Sequence, residues 1–179
     1  MRKVIHKAIF AWNFDREEQW LNEMAAKGLC LVSVGFCKYE FVDCVPGEYR
    51  ICMQLLDQLP SHPESQAYLS FLESTGVEQI GVWFRWVYFR RKSADGEFKL
   101  FSDQKSRRQH LSRVIHFVGV ISALNLVVGI CNTVLAAILM EPIYYWAWIN
   151  LLLGLWGSYG TARLLRKRSK MKREAQLFE

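Results

Sequence analysis

The sequence predicts an α+β fold, with a ferredoxin-like domain followed by a two-helix transmembrane hairpin. Residues 1–92 alternate strand-like and helix-like segments in the order β-α-β-β-α-β, which is the ferredoxin-like order. Two later runs, 117–140 and 142–162, contain 24 and 21 residues without a formal charge. A helix of about 20 apolar residues crosses a bilayer, so each run is long enough for one membrane span.

The first strand is predicted over residues 4–10, and a helix follows it. Asp15 and Glu18 have the spacing of a capping box at a helix start, and Glu17 adds to a charged first turn that favours the helix dipole. Gly28 supplies the left-handed residue on which helices often end. The pattern therefore predicts a helix that ends just before this glycine.

The middle of the domain is predicted as two strands separated by a turn. In segment 29–43 the apolar positions change phase beside Gly35, which favours one long strand with a β-bulge at this glycine. The sequence "VPGE" (45–48) is typical of a turn. Alternate apolar residues form one face of the next strand, namely Tyr49, Ile51, Met53 and Leu55.

A second helix and a last strand complete the predicted domain. Ser61 and Glu64 repeat the capping-box spacing, and Gly76 marks the helix end. Segment 77–92 is rich in β-branched and aromatic residues, which is typical of a central strand. Residues 93–113 are predicted to be a linker and a basic juxtamembrane segment.

The transmembrane helices are predicted over 114–140 and 143–163, with a turn at Glu141-Pro142. Proline disfavours helical geometry at the residue before it, so the first helix should end there. Small and amide residues permit close helix approach and hydrogen bonds between helices. The candidate helix–helix packing residues are Asn125, Gly129, Asn132, Asn150, Gly154 and Ser158. Packing within the hairpin and a homo-oligomer seam are both open.

The charge distribution predicts the orientation in the membrane. Residues 1–103 carry 12 Lys and Arg against 14 Asp and Glu, a net charge of −2, whereas the remainder carries +8. Basic flanks stay cytoplasmic, so the sequence predicts a two-pass cell-membrane protein with both termini, including the basic tail 164–179, in the cytoplasm. The candidate contacts to lipid headgroups are Arg107, Arg108, Arg113, Arg166, Lys167 and Arg168. Nucleic acid is not an expected partner, because the soluble part is slightly acidic.

The residue pattern predicts no catalytic, cofactor-binding or metal-binding site. Phosphate-binding loops, zinc-protease motifs and nucleophile elbows do not occur in the sequence. His6 is interpreted as a packed or surface histidine of a strand, and His62 as part of a helix start. The five cysteines are odd in number and lie in a chain placed in a reducing compartment, so buried, reduced thiols are expected.

An aromatic run near the end of the soluble region is its most unusual feature. Apolar residues occupy both faces of the predicted last strand, so one face is expected to pack the core and the other to contact a partner. The candidate partner or ligand face is Trp83, Phe84, Trp86, Tyr88 and Phe89. A second copy, another protein, the membrane surface and a lipophilic ligand are all open as occupants.

Four short segments in succession carry a family resemblance: "REEQWLNEMAAKGLCLV", "YEFVD…EYRICMQLLD", "AYLSFLESTGVEQIGVWFRWVYFRRK" and "KLFSDQKSR". Together they resemble the domain-of-unknown-function 2812 family of Gram-positive bacteria over residues 1–113. Val77 stands where this family usually has tryptophan. The resemblance implies membrane anchoring and frequent encoding beside PadR-like transcriptional regulators. It implies no catalytic mechanism, cofactor or site residue.

The sequence thus predicts a membrane-anchored cytoplasmic binding, sensory or regulatory module without catalytic activity. Its expected partners are membrane lipids and either another protein or a second copy of the chain. Two alternatives are open. One is a small enzyme that acts on a hydrophobic or membrane-associated substrate, and the other is an accessory subunit of a larger membrane complex.

Overall fold

The computed structural model describes residues 2–101, 103–139 and 145–176, and the chain divides into two compact units at Gln104. The first unit is called the αβ domain below. Its described elements are β1 (Arg2–His6), a 3₁₀ turn (Ala11–Asn13), α1 (Phe14–Ala26), β2 (Leu29–Gly35), β3 (Lys38–Asp43), β4 (Tyr49–Leu55), α2 (Pro63–Ser74), β5 (Glu78–Trp83), β6 (Trp86–Lys92) and a 3₁₀ turn (Ser93–Asp95).

The strands of the αβ domain form two antiparallel sheets of three strands each. Their strand orders are β1-β3-β2 and β4-β6-β5. Ile5 is the register partner of Tyr39 in the first sheet, and Met53 is that of Tyr88 in the second. The ferredoxin-like prediction is therefore wrong, because that fold has four strands in one sheet, whereas each sheet here combines a single strand with a complete hairpin.

Segments 29–43 and 77–92, each predicted as one strand, are both hairpins. Tight hairpin turns use a left-handed backbone. Cys37 and Phe84 adopt it, with φ values of 51° and 56°. Neither residue type signals a turn, so the two strands of each hairpin resemble one continuous apolar segment. The phase change beside Gly35 marks the end of β2.

The αβ domain contains two βαββ repeats, β1-α1-β2-β3 and β4-α2-β5-β6. Equivalent positions of the two repeats are 48 residues apart in the sequence. In each repeat a glycine with positive φ follows the helix. The next strand then has a register shift, between Leu31 and Ser33 in β2 and between Gln79 and Gly81 in β5. Equivalent residues include Gly28 and Gly76, Leu31 and Gln79, Phe36 and Phe84, and Phe41 and Phe89.

The two helix starts differ from the predicted capping boxes. In α1, the Oε2 atom of Glu18 accepts a hydrogen bond from the backbone N–H of Met53 in β4 at 3.0 Å, so this side chain ties the helix to the second sheet. In α2, Nδ1 of His62 accepts from the N–H of Glu64 at 3.3 Å. The helix-start role predicted for His62 is confirmed.

Buried apolar side chains from both repeats form the core of the αβ domain. Leu21 of α1, Phe41 of β3 and Phe89 of β6 are fully buried. Phe98 and Leu69 pack in the cluster that contains Phe89. The compact domain therefore continues beyond β6 into the segment that was predicted as a linker.

Cys30 and Cys44 form a disulfide bond, with their Cα atoms 5.9 Å apart. The expectation that all the cysteines are reduced thiols is wrong for this pair. Spacing along the chain gave no signal for it, because the β2–β3 hairpin brings together two cysteines that are 14 positions apart. Cys37, Cys52 and Cys131 are free thiols, and Cys52 is buried.

The described part of the second unit consists of two long helices, α3 (Gln104–Ile138) and α4 (Tyr145–Gln176). Among the described residues, α3 is the one helix long and apolar enough to cross a membrane. Tryptophan, tyrosine, glycine and asparagine interrupt the leucines of α4 and lower its hydrophobicity. The predicted two-helix transmembrane hairpin and its two-pass topology are therefore wrong. The predicted turn at Glu141-Pro142 lies outside the described residues.

Candidate functional site

The structure divides the predicted aromatic face between the core and the surface. Trp86, Tyr88 and Phe89 lie on β6 and are at most 6% exposed. Trp83 and Phe84 lie at the end of β5 and in the turn, and are 43% and 54% exposed. The hairpin turn is the reason, because it ends one strand and begins another within the run. Three of the five predicted residues are thus unavailable to a partner at the domain surface.

The exposed residues belong to a cluster that joins the tips of both hairpins. Phe36, in the turn between β2 and β3, is 73% exposed, and its ring centroid lies 5.4 Å from that of Trp83. The two hairpins lie side by side, since a Cβ on Gly81 of β5 would be 3.3 Å from the backbone nitrogen of Val34 in β2. We call Phe36, Trp83 and Phe84 the tip cluster.

Phe84 is an unfavourable residue for its backbone position. Its φ of 56° lies in the left-handed region, which costs a residue with a side chain about 1–2 kcal/mol. Glycine, asparagine and aspartate usually fill such turn positions. More than half of this side chain is exposed, so core packing offsets little of the cost. Backbone strain of this kind is often found at functional positions, which makes Phe84 a candidate for one.

A second group of polar side chains is buried where α1 meets both sheets. Oε1 of Glu17 accepts hydrogen bonds from the hydroxyls of Tyr39 and Tyr88, at 2.7 and 2.6 Å. Tyr39 lies on β3 and Tyr88 on β6, so this carboxyl group connects the two repeats. Glu17 is only 4% exposed. The sequence indicated only that Glu17 is one of several charged residues in the first turn of a helix, so its contact with the two tyrosines was not predicted.

Burial controls the electrostatics of this group. It raises the pKa of Glu17 above its ordinary value of 4.5, while the hydrogen bonds from Tyr88 and Tyr39 and the charge of Lys7 oppose the rise. Burial and the neighbouring carboxyl group raise the pKa of both tyrosines, so both remain donors at neutral pH. All three side chains are nearly inaccessible to solvent. The arrangement therefore joins the repeats and does not offer a substrate a reactive group.

Replacing Glu17 with glutamine is expected to remove a pH dependence of stability. A carboxyl pKa raised by folding means that the native state binds the proton more tightly than the unfolded state. The protonated Glu17 carboxyl group therefore stabilises the native state. This contribution is complete below about pH 4.5 and is lost as the pH rises through the native-state pKa. Denaturant unfolding at a series of pH values checks this. If the wild type and Glu17→Gln show a constant difference at every pH, the raised pKa is contradicted.

Glycines make the closest contacts between α3 and α4. A Cβ on Gly129 would lie 2.8 Å from Cγ of Leu151, and one on Gly154 would lie 2.6 Å from Cγ of Leu126. Such distances leave no room for a side chain at either position. Within the second unit, the structure therefore places both predicted glycines in the interface between the two helices.

The polar members of the predicted packing set behave differently. Asn125 and Ser158 each donate a side-chain hydrogen bond to a carbonyl one turn earlier in their own helix, at 2.8 Å in both cases. Asn132 and Asn150 are partly buried. Close backbone approach at glycine is thus the better-supported basis of this helix contact.

The predicted headgroup residues lie at the outer ends of the two helices. Arg107 and Arg166 are exposed, and the other four are partly buried. His110 is buried and close enough to Arg113 and Lys167 for both charges to act on it. The basic segments of α3 and α4 therefore lie together within the second unit.

Within the described ranges, no three His, Cys, Asp or Glu side chains lie together in a group that could hold a metal ion. His6 is an exposed residue of β1, and His62 is used in capping α2. The structure does not bring either histidine together with Glu17, the buried carboxyl group of the domain.

Comparison with known proteins places the chain in a family. Residues 13–123 match the family described as Protein of unknown function (DUF2812). The match begins at the residue before α1, covers the rest of the αβ domain and extends into the apolar part of α3. No curated protein and no solved structure matches significantly. Because the matched residues make up more than half of the chain, the protein belongs to the DUF2812 family.

Proposed function

We propose that this chain is a membrane-associated, non-catalytic binding module of the cytoplasmic face, and that the tip cluster is its contact surface. Helix α3 holds the module at the bilayer in this proposal. Only 22% of its most apolar stretch is buried within the protein, which leaves most of that surface for lipid. The basic residues Arg107, Arg108 and Arg113 at its start favour the cytoplasmic side for the αβ domain.

Glutathione and thioredoxin keep most cytosolic cysteines reduced, so the Cys30–Cys44 disulfide counts against the cytoplasmic placement, which is proposed from the basic residues at the start of α3. Neither cysteine belongs to the tip cluster, so binding does not depend on this bond.

The tip cluster is the observation that carries the proposal. Two neighbouring hairpin turns expose three large aromatic side chains together. Phenylalanine occupies the equivalent turn position in both repeats, at Phe36 and Phe84. Rings that are more than half exposed gain little from burial in the domain itself, whereas a contact surface gains their apolar area.

Replacing Phe84 with asparagine is expected to stabilise the protein and to weaken its binding. Asparagine tolerates a left-handed backbone, so the free energy of unfolding should rise by about 1 kcal/mol. Binding is measured by purifying the full chain from detergent-solubilised membranes and quantifying the bound proteins and lipids by mass spectrometry. A purely structural role for Phe84 would change the stability and leave the bound species unaltered.

Phe71 provides the matched control for this experiment. It lies on α2, outside the tip cluster, and is 63% exposed. Phe71→Asn removes the same exposed ring and should leave the bound species as in the wild type. The binding proposal is wrong if Phe84→Asn and Phe71→Asn both retain the full wild-type set.

A further inference from the structure

We infer that the tip cluster inserts into the interfacial layer of a lipid bilayer, where apolar chains meet headgroups. This inference rests on the proposed function and names the occupant of its contact surface. Four properties lead to it: the exposure of the surface, the chemistry of its side chains, the charge around it and the length of the connection to α3.

The side chains of the tip cluster are exposed at the surface of the domain. Phe36 and Phe84 lie in turns at the ends of two adjacent hairpins, and they are 73% and 54% exposed. Small molecules bind in concave pockets that cover most of their surface. Side chains exposed to this degree are not enclosed by such walls, but a deformable layer can surround them.

The side chains of the tip cluster match the interfacial layer in chemistry. Tryptophan and other aromatic residues concentrate at the level of lipid headgroups, where a ring can be apolar on its faces and polar at its edge. Trp83 contributes an indole, and the two phenylalanines contribute apolar area beside it. A lipid layer accepts these rings without requiring a complementary surface.

The charge around the tip cluster favours anionic headgroups. Arg85 lies in the second turn and Lys38 follows the first, while the backbone N–H of Lys7 donates to a carbonyl of the first turn at 3.0 Å. The acidic residues of the same segments are Glu40, which is paired with Lys38, and Asp57. The guanidinium of Arg85 donates to the carbonyls of Leu56 and Asp57, and the ammonium group of Lys7 lies 4.0 Å from the centroid of the Trp20 ring. The three basic and two acidic residues leave a net charge of +1, a small excess that attracts an anionic membrane surface.

The connection to α3 keeps the αβ domain near a bilayer. Phe98 is buried in the core of the domain, and α3 begins at Gln104. Six residue steps separate these positions and can span at most about 22 Å. Once α3 is associated with lipid, the domain is thus confined to the neighbourhood of the membrane surface, whatever its orientation.

Site-specific photocrosslinking in native membranes tests this inference. Benzoylphenylalanine replaces Phe84, Phe36 or, as the control, Phe71 in the full chain, and each substitution keeps an aromatic ring. After irradiation, the purified chain is analysed by mass spectrometry. The expected result is a phospholipid adduct at positions 84 and 36 that is several-fold more abundant than at position 71.

The alternative results separate this inference from the proposed function. Adducts of positions 84 and 36 with another protein, or with a second copy of the chain, would show that lipid is the wrong occupant while the contact surface stands. No adduct above the level at Phe71 would overturn both the lipid inference and the binding role of the tip cluster.

Discussion

Replacing Glu17 with leucine is expected to lower the free energy of unfolding of the αβ domain by about 1–3 kcal/mol. Leucine fills a similar volume but removes the acceptor of two buried hydroxyl groups, those of Tyr39 and Tyr88. The two hydroxyls also hydrogen-bond each other, so one keeps a partner and the other is left without an acceptor, at a desolvation cost of about 1–3 kcal/mol for a buried group. Denaturant unfolding, followed by tryptophan fluorescence, measures the loss.

A triple variant separates the hydrogen bonds from the packing. Glu17→Leu combined with Tyr39→Phe and Tyr88→Phe removes the hydroxyl that is left without an acceptor together with its partner, and it should regain most of the lost stability. If the triple variant is no more stable than Glu17→Leu alone, the two hydroxyls do not account for the loss. The change in side-chain shape within the core would then be the cause.

The helices and their ends were the predictable part of the αβ domain. Gly28 and Gly76 were expected to end two helices, and both do so with positive φ. The strand after the "VPGE" turn was also predicted, and it is β4. These signals are local, because an apolar stripe and a following glycine act within a few residues.

The hairpins escaped prediction because their turns lack the usual turn residues. Cys37 and Phe84 have positive φ, but neither residue type indicates it. The strands on either side are apolar, so periodicity alone could not divide them. The 48-residue repeat was the one sequence signal that could have helped, because it aligns Phe36 with Phe84 and thus pairs the two turns.

The candidate site was only partly predictable for the same reason. Trp83 and Phe84 were predicted as part of a contact surface because they belong to an aromatic run. The contact of Phe36 with Trp83 became visible only in the fold. Glu17 differs little in sequence from its charged neighbours. Its burial depends on the position of α1 against both sheets, and no local pattern records this kind of contact.

Substituting alanine for Gly154 is expected to destabilise the contact between α3 and α4 by about 1–3 kcal/mol. The added Cβ would lie 2.6 Å from Cγ of Leu126 and 2.9 Å from its backbone nitrogen. A flexible side chain can move aside, but the backbone of a packed helix cannot move without separating the pair. Thermal unfolding of the full chain in detergent micelles, followed by circular dichroism, measures the effect.

Gly119→Ala is the matched control, because it makes the same chemical change in the same pair of helices. Its Cβ would meet only the side chain of Thr161, at 3.6 Å, which is an ordinary van der Waals distance. Alanine favours a helix over glycine by about 1 kcal/mol at either position, so the difference between the two variants isolates the packing term. Equal stability of Gly154→Ala and Gly119→Ala would mean that the helices do not approach closely at Gly154.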